Sequence, residues 1–431
     1  SGVNASWDPF SLFSGTLQLA ELDLRQATVT LPLGQGSNDS PPVNPLADFN
    51  FKPLPVNLEL SRLAIDGLTI DSGGQVMAIQ TLESEVSLTG NVLELRSLSL
   101  AADIVSVDGD VDLTLGNGLP VAANLNWRYR HALPLELADA AGELRLSGRV
   151  DSLTIDSTIS TPFQIGSAGS IEPFSEQGAM LDLQHRSPLV EFTTGSDTWR
   201  FTEVRLATQG VPSALQLGLD TAAAGSLIPD LALTADGELA GPVLTIGQAR
   251  AETTAGAMTA SLSMDWLEGF RLSGDYQLLE ADPELLLKRE LPLNLTNLSS
   301  AGSLTLVNNA QGQTMELRLE EATATLDQYP LTAGGDLLIR DGDIRIDNLI
   351  LESEANRLTV NGSYASNAEA DLRWQLQAPV LEQFIPAVSA AAQGSGYLRG
   401  SLSEPRIEAT FAVNDLVSDY GRAAQLQLQV R

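Results

Sequence analysis

Hydrophobic and polar residues alternate with a period of two along most of the chain. Leu58 and Leu60 flank Glu59, and much later Ile344 and Ile346 repeat the pattern. In a β-strand, successive side chains point to opposite faces of the sheet, so this alternation places apolar residues on one face and polar residues on the other. The sequence therefore predicts an all-β protein whose strands each shield one face from water.

Two kinds of interruption break the alternation. At Ala20–Glu21 and at Asp66–Gly67 the apolar positions step by one residue, which predicts β-bulges or tight turns. Asp-Gly and Asn-Gly pairs recur at Asp108–Gly109, Asp341–Gly342 and Asn361–Gly362. Because glycine accepts a positive φ, these pairs favour hairpin turns between successive strands.

Helical signals are brief. Residues 282–288 begin with Asp and Pro and end with Lys, which predicts about two helical turns. Residues 379–392 carry apolar residues near helical spacing and predict a short helix that caps the sheet. Residues 34–55 are rich in Gly, Ser, Asn, Asp and Pro and predict a long loop. Since no other shift in composition marks a boundary, we interpret 1–431 as one continuous segment of a longer protein.

The charge of the chain excludes one class of partner. The sequence has 24 Lys and Arg residues against 55 Asp and Glu residues, a formal net charge of -31. Such a chain repels phosphate backbones, so we expect no binding to nucleic acid, and no electrostatic docking onto anionic headgroups. The hydrophobic content of 43% is ample for a folded protein and disfavours an acidic disordered chain.

The sequence offers no sign of catalysis. It has no Cys, and its two histidines, His131 and His185, are far apart and lack a metal-binding context, so we expect each to be exposed or at a sheet edge. We therefore predict no catalytic residue, no metal site and no cofactor. A carbohydrate-active enzyme would need a carboxylate pair in a cleft with aromatic platforms, and the aromatic content of 5% makes it the weakest hypothesis.

The apolar face of such a sheet must be shielded from water, and the sequence allows two ways to achieve this. A second sheet would give a β-sandwich with a filled core, which fits an extracytoplasmic adhesin-like binding or scaffold protein. Alternatively, a long curled sheet would leave an aliphatic trough. Acyl chains suit such a trough, because each CH₂ removed from water contributes about 0.8 kcal/mol without any specific contact.

Several segments resemble the TamB family. Residues 325–346 and 356–362 are similar to segments of these proteins, and 396–407 resembles the family's G-x-L-x-G-S/T-x-x-x-P-x-apolar signature. Residues 7–31 and 54–70 resemble the segments that follow the membrane anchor in these proteins. The resemblance covers most of the chain and places it with the AsmA-like proteins and the bridge-like lipid transfer superfamily.

The resemblance implies both a fold and a role. The implied fold is an elongated, curled, antiparallel-rich sheet, the β-taco, with an aliphatic groove and a few short helices. The implied role is a periplasmic bridge in a Gram-negative bacterium that carries phospholipid acyl chains between the inner and outer membranes and supports outer-membrane protein assembly. The implied partners are phospholipid, the inner membrane through an N-terminal anchor, and a TamA-type outer-membrane barrel through a C-terminal region. We expect both of these segments to lie outside this sequence.

The alternating strands supply candidate lining residues for the groove, which would equally serve as the core of a sandwich. If the apolar residues line a groove, the candidates are Leu58, Leu60, Leu68, Ile70, Val107, Val111, Leu113, Leu337, Ile339, Ile344, Ile346, Leu358 and Val360.

Overall fold

The protein is built almost entirely from β-strands. The computed structural model describes residues 2–31, 51–72, 75–130, 139–175, 178–194, 197–225, 229–267, 269–288, 290–291, 294–309, 312–365, 369–383, 385, 387–401, 406–418 and 421–430. These form β1 Gly2–Asp8, β2 Thr16–Leu31, β3 Asn57–Ser72, β4 Gln75–Thr89, β5 Val92–Ala101, β6 Val105–Thr114, β7 Pro120–Tyr129, β8 Ala140–Arg149, β9 Ser152–Thr161, β10 Ile165–Ser175, β11 Gly178–Thr194, β12 Asp197–Val211, β13 Ala214–Gly225, β14 Leu231–Ala240, β15 Val243–Thr253, β16 Gly256–Asp265, β17 Phe270–Ala281, β18 Leu295–Asn309, β19 Gly312–Leu326, β20 Tyr329–Arg340, β21 Asp343–Ser353, β22 Asn356–Tyr364, β23 Glu369–Ala378, β24 Val388–Ser401, β25 Arg406–Ser418 and β26 Gly421–Val430. The described helical segments are α1, Pro283–Leu287, and the 3-10 turns Pro9–Ser14 and Leu381–Gln383.

The chain divides into two compact units, Ser1–Thr221 and Ala222–Arg431, which we call unit one and unit two. In unit one, β3 to β12 follow one another as antiparallel neighbours. In unit two, β14 to β26 do the same. The predicted all-β, antiparallel-rich fold with only short helices is therefore confirmed.

The first strands of unit one are arranged differently. β1 pairs antiparallel with β2, but β2 and β3 pair in parallel, from Thr16 opposite Asn57 to Leu31 opposite Ser72. Parallel neighbours require the chain to return along the strand before it can pair again. The sequence provides 25 residues, 32–56, between these two strands, which is long enough for such a crossover. Most of the predicted long loop, 34–50, lies outside the described residues, and 51–54 have no regular secondary structure.

The first predicted bulge is confirmed. Glu21 pairs with Ser6 and Leu19 pairs with Trp7, so that Ala20 is left over between two adjacent pairs. The extra residue compensates the step in the sequence, because it returns the following apolar residues to the same face. The bulge thus preserves the alternation of the strand rather than ending it.

The second predicted step, at Asp66–Gly67, coincides with an irregular position in the strands, but the pairing shows no extra residue there and so no bulge. Gln26 and Gly67 have positive φ angles of 54° and 76°, at the point where the pairing of β2 with β3 skips one residue of each strand. A positive φ is uncommon in a residue other than glycine and marks an irregular position in the strand. Leu68, which follows the irregularity, is buried with Ile79 opposite it.

Asp-Gly and Asn-Gly pairs occur in two structural settings. Asp341 and Gly342, with φ of 50° and 90°, form the predicted hairpin turn between β20 and β21. The prediction is wrong for Gly109 and Gly362, which lie inside β6 and β22. A Cβ at Gly362 would lie 2.1 Å from the carbonyl oxygen of Asp371 on the neighbouring strand. Here glycine is needed because the two strands approach too closely for a side chain.

The two short predicted helices have different outcomes. Asp282 caps α1 by accepting hydrogen bonds from the amides of Glu284 and Leu285, so the prediction over 282–288 is confirmed. Over 379–392 the structure differs from the predicted helix. A 3-10 turn is limited to Leu381–Gln383, and Val388 already begins β24. Strand pairing with β25 outweighs the helical spacing in this segment.

Substitution of Gly274 tests the close approach of strands. A Cβ at Gly274 would lie 2.0 Å from the carbonyl oxygen of Ser261, whereas a Cβ at Gly247 meets no atom within 4 Å. We expect Gly274→Ala to destabilise unit two by about 1–3 kcal/mol, because backbone must shift to accept the methyl group. Gly247→Ala is the matched control and leaves the urea midpoint unchanged. Equal midpoints for both variants would contradict this account of the interior glycines.

Candidate functional site

Most strands present one shielded and one exposed face, whereas β1 and β26 are exposed along almost their whole length. In β14, Leu233, Ala235 and Leu239 are half-buried, while Thr234 and Glu238 between them are exposed. We call the first side the apolar face and the second the polar face. The same alternation recurs along the neighbouring strands, so the apolar face is continuous from strand to strand within each unit.

Cross-strand pairing aligns the apolar residues of unit two into rows. Residues directly opposite each other on neighbouring strands have their Cβ atoms about 5 Å apart, so each row is a line of adjacent positions on one face. One row crosses β14 to β22 through Leu239, Leu244, Met264, Leu272, Leu306, Met315, Ile339, Ile344 and Tyr364, all half-buried. The next row crosses β14 to β25 through Gly237, Ile246, Leu262, Gly274, Leu304, Leu317, Leu337, Ile346, Gly362, Leu372, Leu398 and Ile407.

Unit one has equivalent rows. One crosses β3 to β11 through Leu58, Leu88, Leu93, Leu113, Val121, Gly148, Leu153, Ile171 and Leu181. Its neighbour passes through Leu60, Val86, Leu95, Val111, Ala123, Leu146, Ile155, Gly169 and Leu183. Each unit therefore carries an aliphatic surface that runs across many strands without depending on a single residue.

The candidate residues from the sequence lie on this face wherever their side chains are described. Leu337, Ile339, Ile344 and Ile346 belong to the rows of unit two, and Leu58, Leu60, Val111 and Leu113 to those of unit one. Val107 lies between Leu100 and Trp127, and Leu68 lies opposite Ile79. Leu358 lies between Leu351 and Leu376, and Val360 between Leu349 and Trp374. Ile70 is in β3, but its side chain lies outside the described residues.

The apolar face does not form a dry core. Among the described residues no large side chain is fully buried, and most of the buried apolar residues are alanines. A filled β-sandwich would bury its leucines and isoleucines on both inner faces. The half-buried rows therefore favour the open apolar surface over the sandwich core.

Sequence reasoning missed part of this face. Leu304, Leu317 and Leu372 occupy the same row as Ile346. Trp374 also lies on the apolar face and packs against Phe411, with the ring centroids 5.4 Å apart. The signal for these residues was the same alternation in their own strands. It identifies an apolar face everywhere and cannot rank one strand above another.

Charged residues lie mainly on the polar face. Arg62 on β3 bonds Glu21 on β2 and Glu83 on β4, and Arg96 pairs with Asp112. These side chains are each one third to more than half exposed, so each pair contributes little to stability. The pairs keep charge on the side of the sheet opposite the aliphatic rows.

Two depressions open on the polar face. One, of about 560 Å³, is lined by residues that include Arg373, Tyr397 and Glu408. Another, of about 580 Å³, includes Asp108 and Asn126. Their hydrophilic linings do not suit acyl chains, which require apolar contact. Their residues give no candidate site for an apolar ligand.

His185 departs from the sequence expectation. It is half-buried in the interior of β11 rather than exposed or at an edge, and the expectation for it is wrong. Its Nδ1 lies 2.7 Å from the hydroxyl of Ser167 and its Nε2 lies 3.1 Å from the hydroxyl of Thr208. Burial lowers its pKa below the ordinary value of 6.5, because desolvation disfavours the charged imidazolium. His131 lies outside the described residues.

The described residues contain no cluster of three or more His, Asp or Glu side chains placed to hold a metal ion. No helix in the described part of the chain has both the length and the apolar character required to cross a bilayer.

Comparison with known protein families finds a match over nearly the whole chain. The family model described as TamB, N-terminal domain, matches residues 8–431. No curated protein shows a significant match to the chain.

Replacement of His185 tests its burial in the neutral form. Between pH 6.5 and the lowered pKa of the folded protein, the unfolded chain binds more protons than the folded one. Stability is therefore full above about pH 6.5, falls as the pH drops through this window, and levels off below it. We expect His185→Gln to lose this part of the slope in a plot of urea unfolding free energy against pH. An unchanged slope between pH 6.5 and 5 would show that His185 is not the responsible group.

Proposed function

Because the chain belongs to the TamB family, whose members act in the cell envelope, we propose that it is a segment of a lipid-transfer bridge. On this proposal, the apolar face carries phospholipid acyl chains between the inner and outer membranes, and so supports outer-membrane biogenesis and protein assembly. The chain works in the periplasm of a Gram-negative bacterium. The proposed partners of the full protein are the inner membrane and a TamA-type outer-membrane barrel.

The observation that carries the proposal is the continuity of the apolar rows. In unit two a single row crosses nine strands, from Leu239 to Tyr364, with no charged side chain among its members. An acyl chain on this row gains about 0.8 kcal/mol for each CH₂ it removes from water, wherever along the row it lies. A uniform surface of this kind favours movement, because no position holds the chain much more tightly than the next.

The polar face supports the same role from the other side. Its charged residues stay in water and keep the segment soluble, while its net acidity repels anionic headgroups. A lipid is therefore attracted to the apolar face by its chains and is not trapped by charge on the polar face. The proposed role requires no catalytic residue.

The direct test is native mass spectrometry of the chain purified from a bacterial host, with extraction of bound lipid. We expect co-purified phospholipid, because the half-buried rows would otherwise stay in contact with water. A stable chain free of lipid would favour the adhesin-like or scaffold alternative.

A charge on the apolar face should block lipid binding. Ile346 lies in the second row of unit two, between Leu337 and Gly362, so Ile346→Arg places a guanidinium among aliphatic side chains. We expect a severalfold loss of co-purified phospholipid, since a charge is costly in contact with acyl chains. Thr332→Arg on the exposed polar face of β20 adds the same charge and retains the lipid.

Both variants are first compared by circular dichroism and thermal melting. A folded Ile346→Arg variant that keeps its full lipid content, and complements in the full-length protein, would contradict the proposed path. Loss of lipid in both variants would mean that charge itself, rather than its position, controls binding.

A further inference from the structure

Three polar residues interrupt the apolar face of unit one. Ser157, Ser167 and His185 lie directly opposite one another on β9, β10 and β11. The same cross-strand row is aliphatic on both sides of them, with Leu144 on β8 and Leu206 on β12. Polar side chains on an otherwise aliphatic surface lower its affinity for acyl chains, so their presence requires an explanation.

Ser157 forms a hydrogen bond of its own and does not bond His185. The Ser157 hydroxyl donates to the backbone carbonyl of Glu143 at 2.9 Å and is thereby satisfied locally. Ser167 and Thr208 instead bond the two nitrogens of His185, at 2.7 and 3.1 Å. We call Ser167, His185 and Thr208 the Ser-His-Thr cluster.

The number of hydroxyl hydrogens that the cluster leaves free for a ligand depends on the protonation of His185. A neutral imidazole has one N–H donor and one acceptor nitrogen. One hydroxyl then gives its hydrogen to the ring, while the other accepts from the ring and keeps its own hydrogen free. A protonated imidazole donates from both nitrogens, so both hydroxyl hydrogens become free and the cluster gains a positive charge.

No protein carboxylate on the same face neutralises that charge. Among the described residues on the apolar face of β9, β10, β11 and β12, His185 is the one titratable side chain. On its own strand the closest charged residues, Asp182 and Arg186, are exposed on the polar face. An imidazolium here would therefore take its counter-charge from a ligand on the apolar face.

We propose that the Ser-His-Thr cluster binds an anionic oxygen of an amphiphile whose acyl chains lie on the apolar face, and that it binds this oxygen more tightly when His185 is protonated. The inference rests on the proposed function, because it assumes that acyl chains occupy the face. The anionic oxygen belongs to the phosphodiester of a phospholipid or to the carboxylate of a fatty acid. The cluster is then a point at which a moving lipid pauses with its headgroup held.

The test measures binding of three soluble probes to the intact chain by native mass spectrometry. Dioctanoyl phosphatidylglycerol carries a phosphodiester, decanoate carries a carboxylate, and dioctanoylglycerol has two chains without an anionic oxygen. We expect the affinity for phosphatidylglycerol to rise as the pH falls from 7.5 to 5.5, and the affinity for dioctanoylglycerol to stay constant.

Three variants isolate the cluster. His185→Leu removes the ring nitrogens, and Ser167→Ala combined with Thr208→Ala removes both hydroxyls while leaving the imidazole. Each should weaken phosphatidylglycerol binding on the order of tenfold, the effect of losing hydrogen bonds to a charged group. His185→Gln keeps polar atoms that cannot titrate, so it should abolish the pH dependence. Gln184→Leu, on the exposed polar face of the same strand, is the matched control and should behave as the unmodified chain.

The outcomes separate this inference from the proposed function. If the unmodified chain binds none of the probes, the lipid-binding role itself fails and the inference fails with it. If the chain binds all three but the variants match it at both pH values, the inference is overturned and the role stands. A loss confined to phosphatidylglycerol identifies the phosphodiester as the ligand, and a loss for decanoate as well extends the site to carboxylates.

Discussion

Register between neighbouring strands is the constraint on which the apolar face depends. Because side chains alternate with a period of two, a slip of one residue in any strand would turn its polar residues inward and break every row that crosses it. The bulge at Ala20 and the paired irregularity at Gln26 and Gly67 are consistent with this demand. Each absorbs a step in the sequence and returns the next apolar residue to the correct face.

Much of the fold could be predicted because its signals are local. Alternation identified the strands, and the steps in it located the bulge at Ala20 and the irregularity at Gly67. Local signals gave the wrong prediction where the neighbouring strand determines whether a segment forms a turn, a helix or part of a strand. Asp341–Gly342 and Asn361–Gly362 look alike in the sequence, yet the first turns a hairpin and the second lies inside a strand, where the Asp371 carbonyl leaves no room for a side chain. The spacing over 379–392 likewise could not reveal the pairing of β24 with β25.

In the candidate site, too, some features are set by the local sequence and others by the pairing of distant strands. The lining residues could be proposed from alternation, since any strand with one apolar face contributes to the rows. The Ser-His-Thr cluster could not, because Ser167, His185 and Thr208 come from three strands, and their contacts exist only once β10, β11 and β12 are paired in register. Sequence patterns thus describe the general surface well, whereas its special positions depend on pairings between residues distant in the chain.

Within each unit, successive strands pair with those before and after them, and this arrangement has an evolutionary consequence. Duplication of one hairpin would add two strands that continue the existing rows, and the strands on either side would meet new partners with the same alternation. Deletion would rejoin strands in the same way. Selection could therefore lengthen or shorten the sheet of each unit, two strands at a time, without redesigning a core.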